Sequence, residues 1–145
     1  MTKTQIHGVA SLALCGGCVI LGAVAMFSKW WMLGAAYLSS SLLAAFSLVY
    51  GFCSKCAAQE QCGHLLPGKL ARPFRREPAP YTLLEIATVL VACIILFVVP
   101  QFWLWRTPAL FAAFWGMLIV AGIDIRCCLC PACANSCCPA RRGKA

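Results

Sequence analysis

The sequence predicts an all-α membrane protein with four transmembrane helices, and two observations support this fold class. The first is composition, since 62% of the 145 residues are hydrophobic and only 11% are charged. Soluble domains carry about 25% charged residues, so a soluble globular fold is disfavoured. The second is the presence of four apolar runs, each close to the roughly 20 residues that a helix needs to cross the hydrocarbon core of a bilayer.

The four apolar runs cover about residues 8–27, 31–52, 83–105 and 108–125. They show no period-two alternation, and lipid offers no hydrogen bonds to an open strand, so each run is predicted to be a helix. Short connectors at 28–30 and 106–107 predict two antiparallel hairpins. Residues 1–145 would then form one membrane domain with two larger extramembrane parts, a cysteine-rich loop over 53–82 and a cysteine-rich tail over 126–145.

The distribution of positive charge predicts the orientation in the membrane. Ten of the 12 Lys and Arg residues lie in the N-terminus, the middle loop and the tail, and only Lys29 and Arg106 lie on the other side. By the positive-inside rule, both termini and the loop are predicted to be cytoplasmic, as in a protein of a bacterial-type inner membrane. The net charge of +8 is explained by topology and by anionic lipid, so no nucleic-acid partner is expected.

Aromatic residues gather on the side opposite the predicted cytosolic face. They are Phe27, Trp30, Trp31, Phe102, Trp103 and Trp105. Tryptophan is enriched at membrane–water interfaces, so this set is interpreted as an aromatic belt.

The abundance and the grouping of the cysteines indicate that they carry the chemistry of this protein. Nine of the 12 cysteines lie on the predicted cytosolic face: Cys53, Cys56, Cys62, Cys127, Cys128, Cys130, Cys133, Cys137 and Cys138. The cytosol is reducing, which disfavours structural disulfides and favours metal binding or redox chemistry.

The spacing of these cysteines predicts a metal centre. Cys53-x2-Cys56 in the loop and Cys130-x2-Cys133 in the tail each allow two thiolates to grip one ion, and His64 follows Cys62 by two residues. Four such donors suit tetrahedral zinc. The tail also matches the bacterial ferredoxin spacing for an iron–sulfur cluster through Cys127, Cys130, Cys133 and Cys137, although Cys138 precedes Pro139 where that pattern has the proline directly.

Loop and tail are predicted to build one centre together, and its metal stays open between zinc and iron–sulfur. The candidate ligands are Cys53, Cys56, Cys62, His64, Cys127, Cys128, Cys130, Cys133, Cys137 and Cys138.

A second cysteine pair lies inside the first apolar run. Cys15 and Cys18 are three residues apart and share one face of a helix, whereas Cys93 is interpreted as a small apolar residue. Soft thiolates of this kind bind Cu(I), Zn(II) or Hg(II). The arrangement resembles the four-helix bacterial mercuric-ion transport proteins, which pair a Cys-x-x-Cys in the first helix with cysteines in a cytosolic tail. This resemblance implies a soft-metal relay through Cys15 and Cys18.

Three functions are compatible with these features. The first is a membrane subunit of a redox assembly, with an iron–sulfur or zinc centre that anchors a cytosolic protein partner or transfers electrons. The second is transport or handling of mercury, copper or zinc. The third is a palmitoylated four-helix scaffold without metal, because Cys127, Cys128 and Cys130 directly follow a membrane helix.

Enzymatic chemistry has little support in the sequence. It contains no phosphate loop, nucleophile triad or paired catalytic carboxylates, so the isolated chain is not expected to be an enzyme. Glu85 and Asp124 are expected to pair with basic neighbours such as Arg76 or Arg126. Pro67-Gly68 in the loop predicts a turn.

Overall fold

The computed structural model describes residues 2–59, 62–133, 135 and 138, and within them all regular structure is helical. This confirms the all-α prediction for the described residues. The α-helices are α1 (Lys3–Phe27), α2 (Trp31–Gly51), α3 (Leu65–Ala71), α4 (Leu83–Cys93), α5 (Gln101–Leu104) and α6 (Pro108–Asp124). Two π-helical segments, Ile94–Val98 and Ile125–Leu129, continue α4 and α6.

Four stretches are long and apolar enough to cross a membrane, as predicted: Lys3–Phe27, Trp31–Lys55, Leu83–Leu104 and Pro108–Leu129. The first helix begins five residues before the predicted run because Thr2 and Gln5 form a capping box. The Thr2 hydroxyl accepts from the Gln5 amide, and the Gln5 side chain accepts from the Thr2 amide. This cap is polar, so a search for apolar residues alone misses it.

The last helix also continues past its predicted end. The π segment extends the fourth stretch to Leu129, and the amide of Cys130 donates to the carbonyl of Ile125 at 2.8 Å. Cys127 and Cys128 therefore lie on a helical extension, whereas the sequence placed them in the tail. Backbone hydrogen bonding continues through Arg126 and the two cysteines to Leu129, which is buried.

Pro100 interrupts the third stretch, and neighbouring side chains compensate for the lost hydrogen bond. A proline lacks an amide donor, so carbonyls in the turn before it, here those of Leu96 and Phe97, can take other partners. The Tyr37 hydroxyl donates to this carbonyl at 2.9 Å. The Gln101 side chain likewise donates to the Phe97 carbonyl at 2.8 Å. Such replacement partners are what allow a proline within a membrane helix.

The bundle packs around α1, which contacts α6 most extensively and α2 next, while α2 contacts α4. The buried core is small: Cys18, Leu104 and Phe114 are fully buried between α1, α5 and α6. Many large apolar side chains face outwards instead, including Leu42 at 73% and Leu83 at 85% exposure. An apolar exterior over four long helices is what a lipid bilayer covers.

The middle loop is tied to the start of α4 by charge. Glu85 pairs with Arg76 at 3.1 Å, as expected, and with Lys55 at 3.0 Å. The expected turn at Pro67-Gly68 is wrong, since both residues lie within the short helix α3. Pro67 fits there because the amides of a helix's first turn need no intrahelical partner.

Tyr37→Phe is expected to lower the free energy of unfolding by about 1 kcal/mol, because it leaves the Leu96 carbonyl without its donor. Reversible unfolding in detergent micelles would measure this loss. Tyr50→Phe is the control, as the Tyr50 side chain is 47% exposed and removing its hydroxyl should change little. An equal loss in both variants would contradict the role assigned to Tyr37.

Candidate metal centre

A cavity of about 260 Å³ brings the loop and the tail together at one end of the bundle. Thr4 at the start of α1, Phe52 after α2, and Ile125 and Leu129 of the last span contribute to its wall. Its potential metal ligands are Cys56, Cys62 and His64 from the loop and Cys130, Cys133 and Cys138 from the tail. Two sequence segments about 70 residues apart thus supply soft donors to one space.

Both Cys-x2-Cys motifs are folded into turns that begin and end at cysteine. The Cys56 amide donates to the Cys53 carbonyl at 3.2 Å, and the Cys133 amide donates to the Cys130 carbonyl at 3.3 Å. A hydrogen bond between the first and fourth residues brings the chain back on itself. The two cysteines of each motif are thereby held on the same short turn.

The segment from Cys62 to His64 is docked directly onto the backbone of α1. Gly8 is buried, and a Cβ atom there would overlap the Gly63 carbonyl and lie 2.9 Å from the His64 amide nitrogen. A Cβ atom on Gly63 would in turn lie 2.5 Å from Leu129. Gly8 is therefore required for the loop to lie against α1, because a Cβ atom there would meet rigid backbone.

A hydrogen bond fixes the orientation of the His64 ring. Its Nδ1 lies 3.1 Å from the Gly8 carbonyl oxygen, which can only accept, so Nδ1 carries the proton. In the neutral ring Nε2 then keeps its lone pair. Histidines that bind metals commonly donate their other ring nitrogen to a carbonyl in this way.

Tyr81 and Asn135 hold the tail against the end of α2. The Tyr81 ring stacks on Phe52 with centroids 4.2 Å apart, and its hydroxyl donates to the Phe52 carbonyl at 3.1 Å. The Asn135 amide donates to the Tyr81 hydroxyl at 3.4 Å, and Asn135 is only 2% exposed. Burial raises the pKa of Tyr81 to about 12, so the hydroxyl keeps its proton and remains a donor.

The cavity favours protonated thiols in the absence of a cation. Burial is the main cause that raises the pKa of both Cys56 and Cys62 above 9.0. The neighbouring Cys133 raises both further, whereas a backbone hydrogen bond lowers each somewhat. A cation that binds here must displace these protons, and its charge would relieve the repulsion between the thiolates.

The structure distributes the remaining predicted ligands differently. Cys53 does not line the cavity, although it interacts electrostatically with Cys56 and Cys62. Cys127 and Cys128 lie on the π segment outside the cavity wall, and Cys127 is exposed. Cys137 lies outside the described residues.

The tightest group of potential ligands lies outside the cavity. Within residues 2–59, 62–133, 135 and 138, the three-donor group with all ligand atoms within 4.8 Å of one another is His7, Asp124 and Cys128. Sequence reasoning missed His7, because it lies 117 residues from Asp124 and in no cysteine motif. The donors of the cavity are spaced more widely, so binding one ion there requires loop and tail to close around it.

The intramembrane cysteines also lie near one another. Cys18 is fully buried and its thiol donates to the Phe114 carbonyl at 3.5 Å. Cys15 interacts electrostatically with both Cys18 and Cys93. Cys93, interpreted from the sequence as a small apolar residue, therefore lies on the side of Cys15.

Gly8→Ala is expected to push the Cys62–His64 segment off α1, because the new methyl group meets rigid backbone atoms. The alkylation rate of Cys62, followed by mass spectrometry of its peptide, should rise several-fold. Gly16→Ala is the matched control on the same helix, since a Cβ atom there has no neighbour within 4 Å. Equal Cys62 rates in the two variants and the unaltered protein would exclude this docking.

No protein-family model, curated protein or solved structure matches this chain. The resemblance to mercuric-ion transport proteins accordingly stays limited to the number of helices, the Cys15–Cys18 pair and the cysteines of the tail. The function of the chain has to be inferred from the residues around the cavity.

Proposed function

We propose that this chain is a small integral membrane protein that carries a metal–thiolate centre on its cytosolic face. The loop and the tail would provide the ligands together, and the bound metal would be zinc or an iron–sulfur cluster. The observation that carries the proposal is the cavity shared by Cys56, Cys62, His64, Cys130, Cys133 and Cys138. The centre would serve a membrane anchor or electron-transfer subunit of a redox assembly.

The chemistry of the donors supports a soft or borderline metal. Zinc prefers thiolate and imidazole ligands, and iron–sulfur clusters prefer thiolates. Hard cations prefer oxygen ligands instead. His64 presents its unprotonated Nε2 once Nδ1 donates to Gly8, which favours zinc. The number of cysteines in loop and tail is equally compatible with a cluster.

The surface of the loop supports a partner on the same face. Leu66, Leu70 and Phe74 are 60%, 55% and 40% exposed, and they alternate with basic residues along α3 and the segment after it. Exposed apolar groups beside positive charge suit an acidic protein surface or the interface of anionic lipid. A cytosolic protein docked here would lie next to the cavity, because Gly68 of α3 packs against Cys62.

The orientation is tested with a reporter at the C-terminus of the full-length chain. A fluorescent protein, which folds in the cytosol, should fluoresce there, and alkaline phosphatase, which is active only outside it, should be inactive. The reason is the excess of Lys and Arg on the side of the loop and the tail. An active phosphatase fusion would place the cysteines in an oxidising compartment and remove the preference for metal over disulfides.

The metal centre is tested by anaerobic purification followed by metal and acid-labile sulfide analysis. Sulfide with iron would identify a cluster, and zinc without sulfide a zinc site. The double variant Cys53→Ser/Cys56→Ser should lose metal as severely as Cys130→Ser/Cys133→Ser, because both segments supply donors. A full metal load in the loop variant would show that the tail binds alone, and no metal in the unaltered protein would refute the centre.

Soft-metal transport is the second candidate, favoured by the proximity of Cys15, Cys18 and Cys93 within the membrane. A transported ion needs thiols at each stage of its path, whereas a surface centre does not need the buried ones. Under the leading proposal, Cys15→Ala/Cys18→Ala keeps its metal and leaves cellular sensitivity to mercury and copper unchanged. A sharp change in sensitivity with an intact surface centre would favour transport.

A further inference from the structure

The end of the bundle holds a second group of donors that the loop–tail cavity does not use. His7 on the second turn of α1 meets Asp124, the last residue of α6, with Nδ1 and Oδ1 2.6 Å apart. Cys128 on the π segment completes the group, and all three potential ligand atoms lie within 4.8 Å of one another. None of these three residues lines the cavity.

The local backbone explains why Asp124 and Cys128 share a face. Residues four apart are neighbours on a helix surface, and the change from α to π helix begins directly after Asp124. The π segment directs Ile125 and Leu129 into the cavity wall, while Cys128 lies beside His7. Single π turns inside helices recur at functional sites.

The carboxylate of Asp124 retains an unused acceptor. Oδ1 contacts His7, but Oδ2 is buried and has no hydrogen-bond partner among the described residues. A buried carboxylate oxygen without a partner is costly, and coordination of a cation is one way to satisfy it.

We propose that His7, Asp124 and Cys128 form a divalent metal site of the zinc type, separate from the loop–tail centre and independent of whether that centre exists. One nitrogen, one oxygen and one sulfur donor suit borderline Zn²⁺ better than Mg²⁺ or Ca²⁺, which prefer oxygen alone. Three protein ligands leave the fourth tetrahedral position open, as in zinc sites that hold a water molecule or a substrate.

The proton balance of this site follows from the metal-free contact. The Asp124 carboxylate accepts from Nδ1 of His7, so the neutral ring has its proton on Nδ1. Coordination through Nδ1 moves that proton to Nε2, and coordination by Cys128 releases its thiol proton to solvent. Thiolate, carboxylate and neutral imidazole then balance the two charges of Zn²⁺.

The site would add a metal link between the first and last spans at this end. The metal would link the second turn of α1 to the last residue of α6, the two helices with the most extensive mutual contact. Zinc binding should therefore stabilise the bundle as well as occupy a site, by mass action on the folded state.

The test is a zinc titration of the full chain in detergent after removal of metal by a chelator. His7→Gln and Asp124→Asn keep a hydrogen-bonding amide at each position, so they test coordination with little change in packing. Each should bind one zinc fewer per chain than the unaltered protein. The matched control is Glu77→Gln, which alters an exposed acidic residue of the loop; its zinc load should not change.

Two outcomes would overturn the site. A full zinc load in both His7→Gln and Asp124→Asn would show that these residues form only a contact between α1 and α6. If Cys128→Ser alone then lost zinc, Cys128 would belong to the tail centre. A second measurement covers variants that fail to fold. In the Cys53→Ser/Cys56→Ser protein, zinc should still protect Cys128 from alkylation, and absence of protection would refute the site without any change at His7 or Asp124.

Discussion

The candidate centre depends on the close backbone contact between α1 and the middle loop. Gly8 lies so close to the Gly63 backbone that a Cβ atom at Gly8 would overlap it, and Leu129 of the last span packs against Gly63. This contact places His64 so that its Nδ1 donates to Gly8, and it carries Cys62 into the same cavity as the tail cysteines. Without it, the Cys62–His64 segment would lose its close contact with α1.

In a membrane, the backbone polar groups of the bundle need hydrogen-bond partners from the protein, since lipid cannot hydrogen-bond to the backbone. Close to Pro100 in the third span, the Tyr37 hydroxyl of α2 donates to the Leu96 carbonyl one turn before the proline. The same residue packs against Ala23 and Met26 of α1. Tyr37 of the second span thus donates a hydrogen bond to the third span and packs against the first.

Charge and thiol chemistry concentrate at one end of the bundle. Glu85 there holds both Lys55 and Arg76, which fixes the first and last parts of the loop to the start of α4. Between these anchors lie thiols whose pKa burial raises, so a cation that binds in the cavity must displace their protons. The π segment after α6 borders this cavity and also carries Cys128 towards His7.

The sequence by itself determined the membrane class and the positions of the four spans, because apolar length and helical hydrogen bonding are local properties of the chain. It also predicted the pairing of Glu85 with Arg76 and assigned soft donors to the loop and the tail. It misplaced Pro67-Gly68, which lie inside the short helix α3, and the end of the last helix, where backbone hydrogen bonds continue past Arg126. Only the tertiary structure decided which donors meet, because His7 and Asp124, or Cys56 and Cys133, are far apart in the chain and are brought together by helix packing.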